Sequence, residues 1–143
     1  MSTSSVDRSQ LPLNGILVLD FSQFLAGPVA AMRLADLGAR VIKIERPGAG
    51  DDTRSWGPPF LPQADGRDSA EAAYYLGTNR NKRSITIDMA QPEGQALIRQ
   101  MALQSDILVE NFKVGGLAQY GLDYASLKAL NPRLIYCSVT GFG

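Results

Sequence analysis

"ILVLDFSQFLAGPVAAMRLADLGARVIKIE", residues 16–45, decides the fold. Its first six residues, Ile16 to Phe21, are almost continuously apolar, as a strand covered on both faces requires. "AGPVAAMRLADLG" then reads as a helix. Pro28 suits a first helical turn, where a backbone N–H has no partner to lose, and Gly38 stands where the chain leaves the helix. "RVIKIE", Arg40 to Glu45, reads as a second strand. Strand, helix and strand within about 30 residues form a βαβ unit, whose two strands run parallel.

The alternation continues outward from that unit. Residues 1–10 are polar and read as a flexible leader. Residues 46–69 are rich in Gly, Pro and Asp and read as one long surface loop, a kind often tied to function. "AEAAYYLGTNRNKR" leads into a third strand, "SITIDM". Pro92 opens a helix that runs to Gln104 with Leu97, Ile98 and Met101 on one face. "DILVEN", Asp106 to Asn111, is a fourth strand. Asp123 is placed to N-cap a short helix that ends before Asn131-Pro132. "LIYCSV", Leu134 to Val139, is a fifth strand. Strands alternating with helices define an α/β domain over residues 11–143, with a largely parallel sheet and flanking helices.

The totals exclude several functions. Lys+Arg and Asp+Glu each number 14, so no positive excess points to nucleic acid. The chain has no histidine, which removes Ser-His and Cys-His catalysis and most zinc chemistry. No metal site is expected. Cys137 is the single cysteine, so no internal disulfide forms, and a reducing, cytoplasmic compartment fits. It stands mid-strand beside Tyr136 and reads as core. No run approaches the ~18 apolar residues of a membrane span.

Ligands of parallel sheets bind beyond the carboxyl ends of the strands. The turn after the first strand, "SQFLAGP", is not GxGxxG, so NAD is not expected. Its Ala26-Gly27-Pro28 segment is either a plain turn or a set of backbone N–H groups for a phosphate or thioester oxygen. "PGAG" after the second strand reads as a simple turn. Glu45-Arg46 stands where nucleotide folds hold a ribose and its phosphate, with a solvated arginine as the alternative. Arg80, Lys82 and Arg83 form a cationic cluster that either meets a polyanion or is a solvated strand end. Asn111 can hydrogen-bond a ligand, and Phe112 can stack on one. The Gly115-Gly116 pair permits close backbone approach. Trp56 either covers a pocket or pins the loop, and Asp51 and Asp52 are candidate partners for Arg54.

The stretches "LNGILVLDFSQFLAGP", "LADLGARVIKIERPGAGDDTR", "NRNKRSITIDM", "SDILVENF" and "LNPRLIYCSVTGFG" together resemble family III CoA-transferases. "GDDTRSWGPPF" and "YYLGTNRNKRSI" look most like its succinyl-CoA:dicarboxylate branch, such as the succinyl-CoA:glutarate enzymes. The resemblance implies a Rossmann-like, CoA-binding portion at the N-terminus of a larger two-domain fold, in an interlocked homodimer. It implies acyl-CoA and a carboxylic or dicarboxylic acid as substrates, with no metal and no NAD. Phe24, Leu25, Ala26, Arg46, Ile87, Asn111 and Phe112 match cofactor-lining positions. Lys82 and Arg83 are expected to favour the anionic cofactor from nearby. Leu25 stands where formyl-CoA transferase has a glutamine that helps manage the acyl intermediate, which argues against oxalate and formate as the substrate pair, and Gln119 stands where that enzyme has a cofactor-side arginine. The family's nucleophilic aspartate follows the "GFG" turn and lies beyond Gly143, so this chain alone is expected to be inactive. A CoA-binding or partner-pairing module without turnover, and an acyl-CoA racemase, are the rival readings.

Overall fold

A computed structural model describes residues 8–141. Residues 1–7 of the expected leader lie outside the described residues, as does most of the "GFG" turn. Arg8–Gln10 form a single 3-10 turn.

Five strands build the main sheet: β1 (Leu17–Asp20), β2 (Arg40–Glu45), β5 (Lys82–Thr86), β6 (Ile107–Glu110) and β7 (Ile135–Ser138). Two short strands, β3 (Phe60–Pro62) and β4 (Asp68–Ala72), pair antiparallel with each other. The main sheet is parallel throughout, in the spatial order β5-β2-β1-β6-β7. β1 lies at its centre, and all four of its residues are buried. Four helices accompany the strands: α1 (Ala26–Asp36), α2 (Ala73–Asn79), α3 (Pro92–Leu103) and α4 (Tyr124–Leu130).

Local chemistry accounts for most boundaries. Pro28 and Pro92 stand in the first turns of α1 and α3, where they remove no helical hydrogen bond. Gly38 leaves α1 at φ +108°, and a Cβ there would meet Leu11 Cβ at 2.5 Å. Asp123 does stand at the N-cap of α4, but its carboxylate accepts from the Ser126 hydroxyl, not from a backbone N–H.

The sheet separates two apolar cores. Leu19, Phe21, Ile44, Ile98, Leu108, Leu122 and Leu127 fill the α3–α4 face. Val18, Val41 and Val109 meet Ala31 and Ala35 of α1 on the other face, where small side chains let the helix approach closely. On that second face β2 also carries Lys43 and Glu45, both buried. Their charges organise the functional end of the molecule.

Three expectations change. The 46–69 segment is not one open loop: it contains a 3-10 turn at Asp52–Ser55 and the β3–β4 ribbon. The third main strand begins at Lys82, two residues before the apolar alternation. Cys137 is exposed, not core. It shares a face with Ile135 of β7, at the sheet edge beyond the cover of α1, and Ile135 itself is 62% exposed.

Candidate functional site

β1 and β6 are neighbours, yet the chain leaves them toward opposite sides of the sheet. This divergence opens a crevice at their carboxyl ends, the usual ligand position in such folds. The turn after β1 and the residues after β6 meet there. The Asn111 side-chain amide accepts from Gln23 N at 2.9 Å and donates to Gln23 O at 2.7 Å, tying the two loops together. Gln23, Phe24, Asn111 and Phe112 line a cavity of 130 Å³. Phe24 is held at φ +72°, a left-handed conformation costly for a bulky residue. Phe24, Leu25 and Ala26 are all exposed. Their backbone N–H groups have no acceptor among the described residues.

Trp56 connects this turn to the long segment. Its ring lies 5.6 Å from that of Phe24 and 5.3 Å from that of Tyr74, so the segment is pinned to the site by an aromatic row. Next to it, at the ends of β2 and β5, a concavity of 690 Å³ is lined by Arg46, Gly48, Gly50, Arg54, Ser84 and Thr86. Arg46 is about half exposed and faces Asp52 across an open ion pair. A larger concavity, 730 Å³, lies between β7 and α4. We place the site at the β1–β6 divergence, because strained, exposed backbone and polar cross-links converge there.

Glu45 is committed inward and does not face the concavity as a free ribose acid. Arg54 donates to both of its oxygens at 2.8 Å, the Asp51 N–H donates at 2.8 Å, and the Tyr75 and Ser84 hydroxyls complete the shell. Burial would raise this carboxyl's pKa, but these donors prevail and bring it down to about 2. Burial beside that carboxylate pushes the Tyr75 phenol up. The expected pairing of Asp51 and Asp52 with Arg54 is also replaced. Asp51 meets Lys43 at 2.8 Å, Asp52 meets Arg46, and Arg54 meets Glu45 and Glu71.

The cationic cluster presents no free cation to the crevice. Arg80 pairs with Asp36 at the end of α1. Lys82 turns inward: its side chain is 2% exposed, and Nζ lies 2.7 Å from Asp20. Nζ also donates to Pro28 O and Asn79 Oδ1, at 2.8 Å each. Burial draws this ammonium's pKa down, against the pull of Asp20. Arg83 is exposed opposite Ile42, three residues and about 10 Å of strand short of Thr86. It borders a depression shared with Asn14, Gly38 and Arg40 at the amino end of the sheet. Neither Lys82 nor Arg83 therefore stands as a free cation at the crevice. Ile87 follows β5 at the carboxyl end of the sheet, but its side chain is buried in the α3–α4 core and does not reach the crevice.

Residue reading missed Asp20, Lys43 and Lys82 as one buried set. The available signal was Lys43 inside "RVIKIE", a charge in a strand that the βαβ pattern requires to be covered.

An α/β domain of the doubly wound class, with its candidate site at the switch point, is thus defined. The profile of CoA-transferase family III matches residues 13–143, and the chain belongs to that family. It is 59% identical over 132 residues to succinate–glutarate CoA-transferase of Agrobacterium fabrum, covering 92% of this chain and 33% of that protein. It is 49% identical to human succinyl-CoA:glutarate CoA-transferase, covering 92% of this chain and 28% of the relative. Among solved structures, a CAIB/BAIF family protein from Brucella suis superposes with a TM-score of 0.86 at 54% identity, over 93% of this chain and 34% of that one. The chain spans about a third of the length of these relatives. None of the described helices is long and apolar enough to cross a membrane.

Proposed function

We propose that this chain supplies the CoA-binding part of a transferase that moves CoA from an acyl-CoA, succinyl-CoA foremost, to a carboxylic or dicarboxylic acid. The observation that carries the reading is the exposed Phe24–Ala26 turn at the switch point, in a chain of this family. Its unpaired N–H groups lead into α1, where the helix dipole favours a thioester oxygen or a phosphate. Asn111 and Phe112 form the opposite wall. Arg46 is available to the nucleotide phosphates, since its exposed pair with Asp52 contributes little.

In this reading an aspartate elsewhere in a longer polypeptide attacks the thioester carbon and expels CoA thiolate, leaving a mixed anhydride. The thiolate attacks the aspartyl carbonyl, releases the first carboxylate and forms an enzyme thioester. The acceptor carboxylate attacks that thioester, again expelling the thiolate. This second anhydride forms between aspartate and acceptor, and thiolate attack on its acceptor carbonyl completes the transfer. A cytoplasmic, interlocked homodimer belongs to the same proposal.

Calorimetry of the 143-residue chain with CoA tests the reading. Saturable binding is expected, weakened about tenfold by R46Q through loss of a charge-assisted phosphate contact. No CoA transfer from succinyl-CoA to glutarate is expected from this chain alone. Absence of CoA binding by the native chain would overturn the proposal.

A further inference from the structure

The turn that carries the candidate site is held from beneath by two buried ammonium groups. Lys43 is 1% exposed, and its Nζ donates to Ser22 O at 2.7 Å while facing Asp51 at 2.8 Å. Lys82 Nζ donates to Pro28 O at 2.8 Å, with Asp20 and Asn79 as its other partners. Ser22 opens the turn, and Pro28 stands just past it, in the first turn of α1. Between them Asn111 fixes Gln23 by both N and O. Asp20 accepts from the Ser22 N–H at 3.0 Å and from the Ser22 hydroxyl. Gly27 packs so closely on this anchor that a Cβ would stand 2.3 Å from Ser22 Cβ. Between these anchors lies Phe24–Ala26, the exposed stretch that begins in a left-handed conformation and whose N–H groups have no acceptor among the described residues.

A strained residue persists only where its surroundings over-determine it. A buried ammonium is a strong anchor for a carbonyl, because its three donors are directional and no water competes for them. We propose that Lys43 and Lys82 are positioning residues: Lys43 clamps the Ser22 carbonyl where the turn begins, Lys82 clamps the Pro28 carbonyl in the first turn of α1, and together they hold the Phe24–Ala26 backbone between them in its ligand-facing shape. Neither lysine touches the ligand. The inference rests on the reading of this turn as the CoA site, but the clamp itself is testable without CoA.

Trp56 is the single tryptophan and packs on Phe24, so it reports the shape of the turn directly. The test is K43M/D51N, which removes the Ser22 anchor without leaving a buried carboxylate unpaired. Raised acrylamide quenching of Trp56 in the free protein is expected, with CoA affinity about tenfold or more weaker, as for other misplaced binding groups. I98A, which opens a cavity on the opposite sheet face, is expected to leave quenching unchanged, separating position from general loosening. Unchanged quenching in K43M/D51N overturns the clamp whatever the affinity does. A native chain that binds no CoA overturns the function reading alone, since the quenching comparison still decides the clamp. Should K43M/D51N not fold, K82M/D20N asks the same question at Pro28. On the native chain, proton exchange at the Lys43 and Lys82 ammonium groups is expected to be far slower than at exposed Lys113. Exchange as fast as at Lys113 overturns the clamp.

Discussion

Glu45 shows how much one side chain at the end of a strand can decide. Its charged form is favoured by the folded state, with the pKa brought from 4.5 to about 2. The stability it contributes is therefore complete above pH 4.5 and is lost as pH falls toward 2. The shift corresponds to roughly 3 kcal/mol. Urea unfolding followed across this pH range is expected to show that loss in the native chain and a flatter profile in E45Q. At neutral pH, E45Q is expected to be destabilised by about 3 kcal/mol, since Arg54 is left without its principal partner. Gly27 makes a second residue-scale test. G27A places a methyl group against Ser22 and is expected to cost about 1–3 kcal/mol in chemical denaturation.

Elements follow from periodicity more faithfully than contacts do. α3 begins at Pro92 as its sequence requires, but Leu97 and Ile98, both assigned to its inner face, part company. Ile98 is fully buried in the α3–α4 core, while Leu97 is 46% exposed. I98A is expected to cost about 2–5 kcal/mol, the range for an emptied core position. L97A is expected to cost less than about 1 kcal/mol, measured in the same unfolding assay. The start of β5 has no such local signal, because Lys82 and Arg83 look like a solvated strand end. Lys82 is in fact strand and core at once, its stem crossing beneath α1 to reach Asp20. The β3–β4 ribbon left almost no trace in the chain, since its pairing is irregular and Ala72 alone among its described side chains is buried. Side chains without a buried face impose no period.

At the scale of the molecule, β7 is one of the two edges of the main sheet among the described residues, β5 being the other. Ile135 and Cys137 stand on its uncovered face, and an apolar edge of this kind is a template for pairing with another chain. The 143-residue chain is expected to self-associate with rising concentration, and I135K to raise its monomer fraction in light scattering. Cys137 is expected to react with a thiol reagent in the native protein, one equivalent per chain, without prior unfolding. A stable native monomer or a thiol reactive only in denaturant would contradict this picture of the edge.

The sequence by itself determined the α/β class, the order of the parallel strands along the chain, and which loops gather at the carboxyl ends. Those features are local: apolar runs, helix-starting prolines and a helix-ending glycine act within a few residues of themselves. The resemblance drawn from its motifs also agreed with the family match. Only the tertiary structure decided where the charges go. Lys82 meets Asp20 across 62 residues, and Arg54 and Tyr75 converge on Glu45 from other segments. A cation's partner is set by three-dimensional distance and burial, which no spacing along the chain encodes. Hence the "NRNKR" cluster, legible as charge, divides into a surface pair, a buried clamp and an exposed arginine at the far end of the sheet.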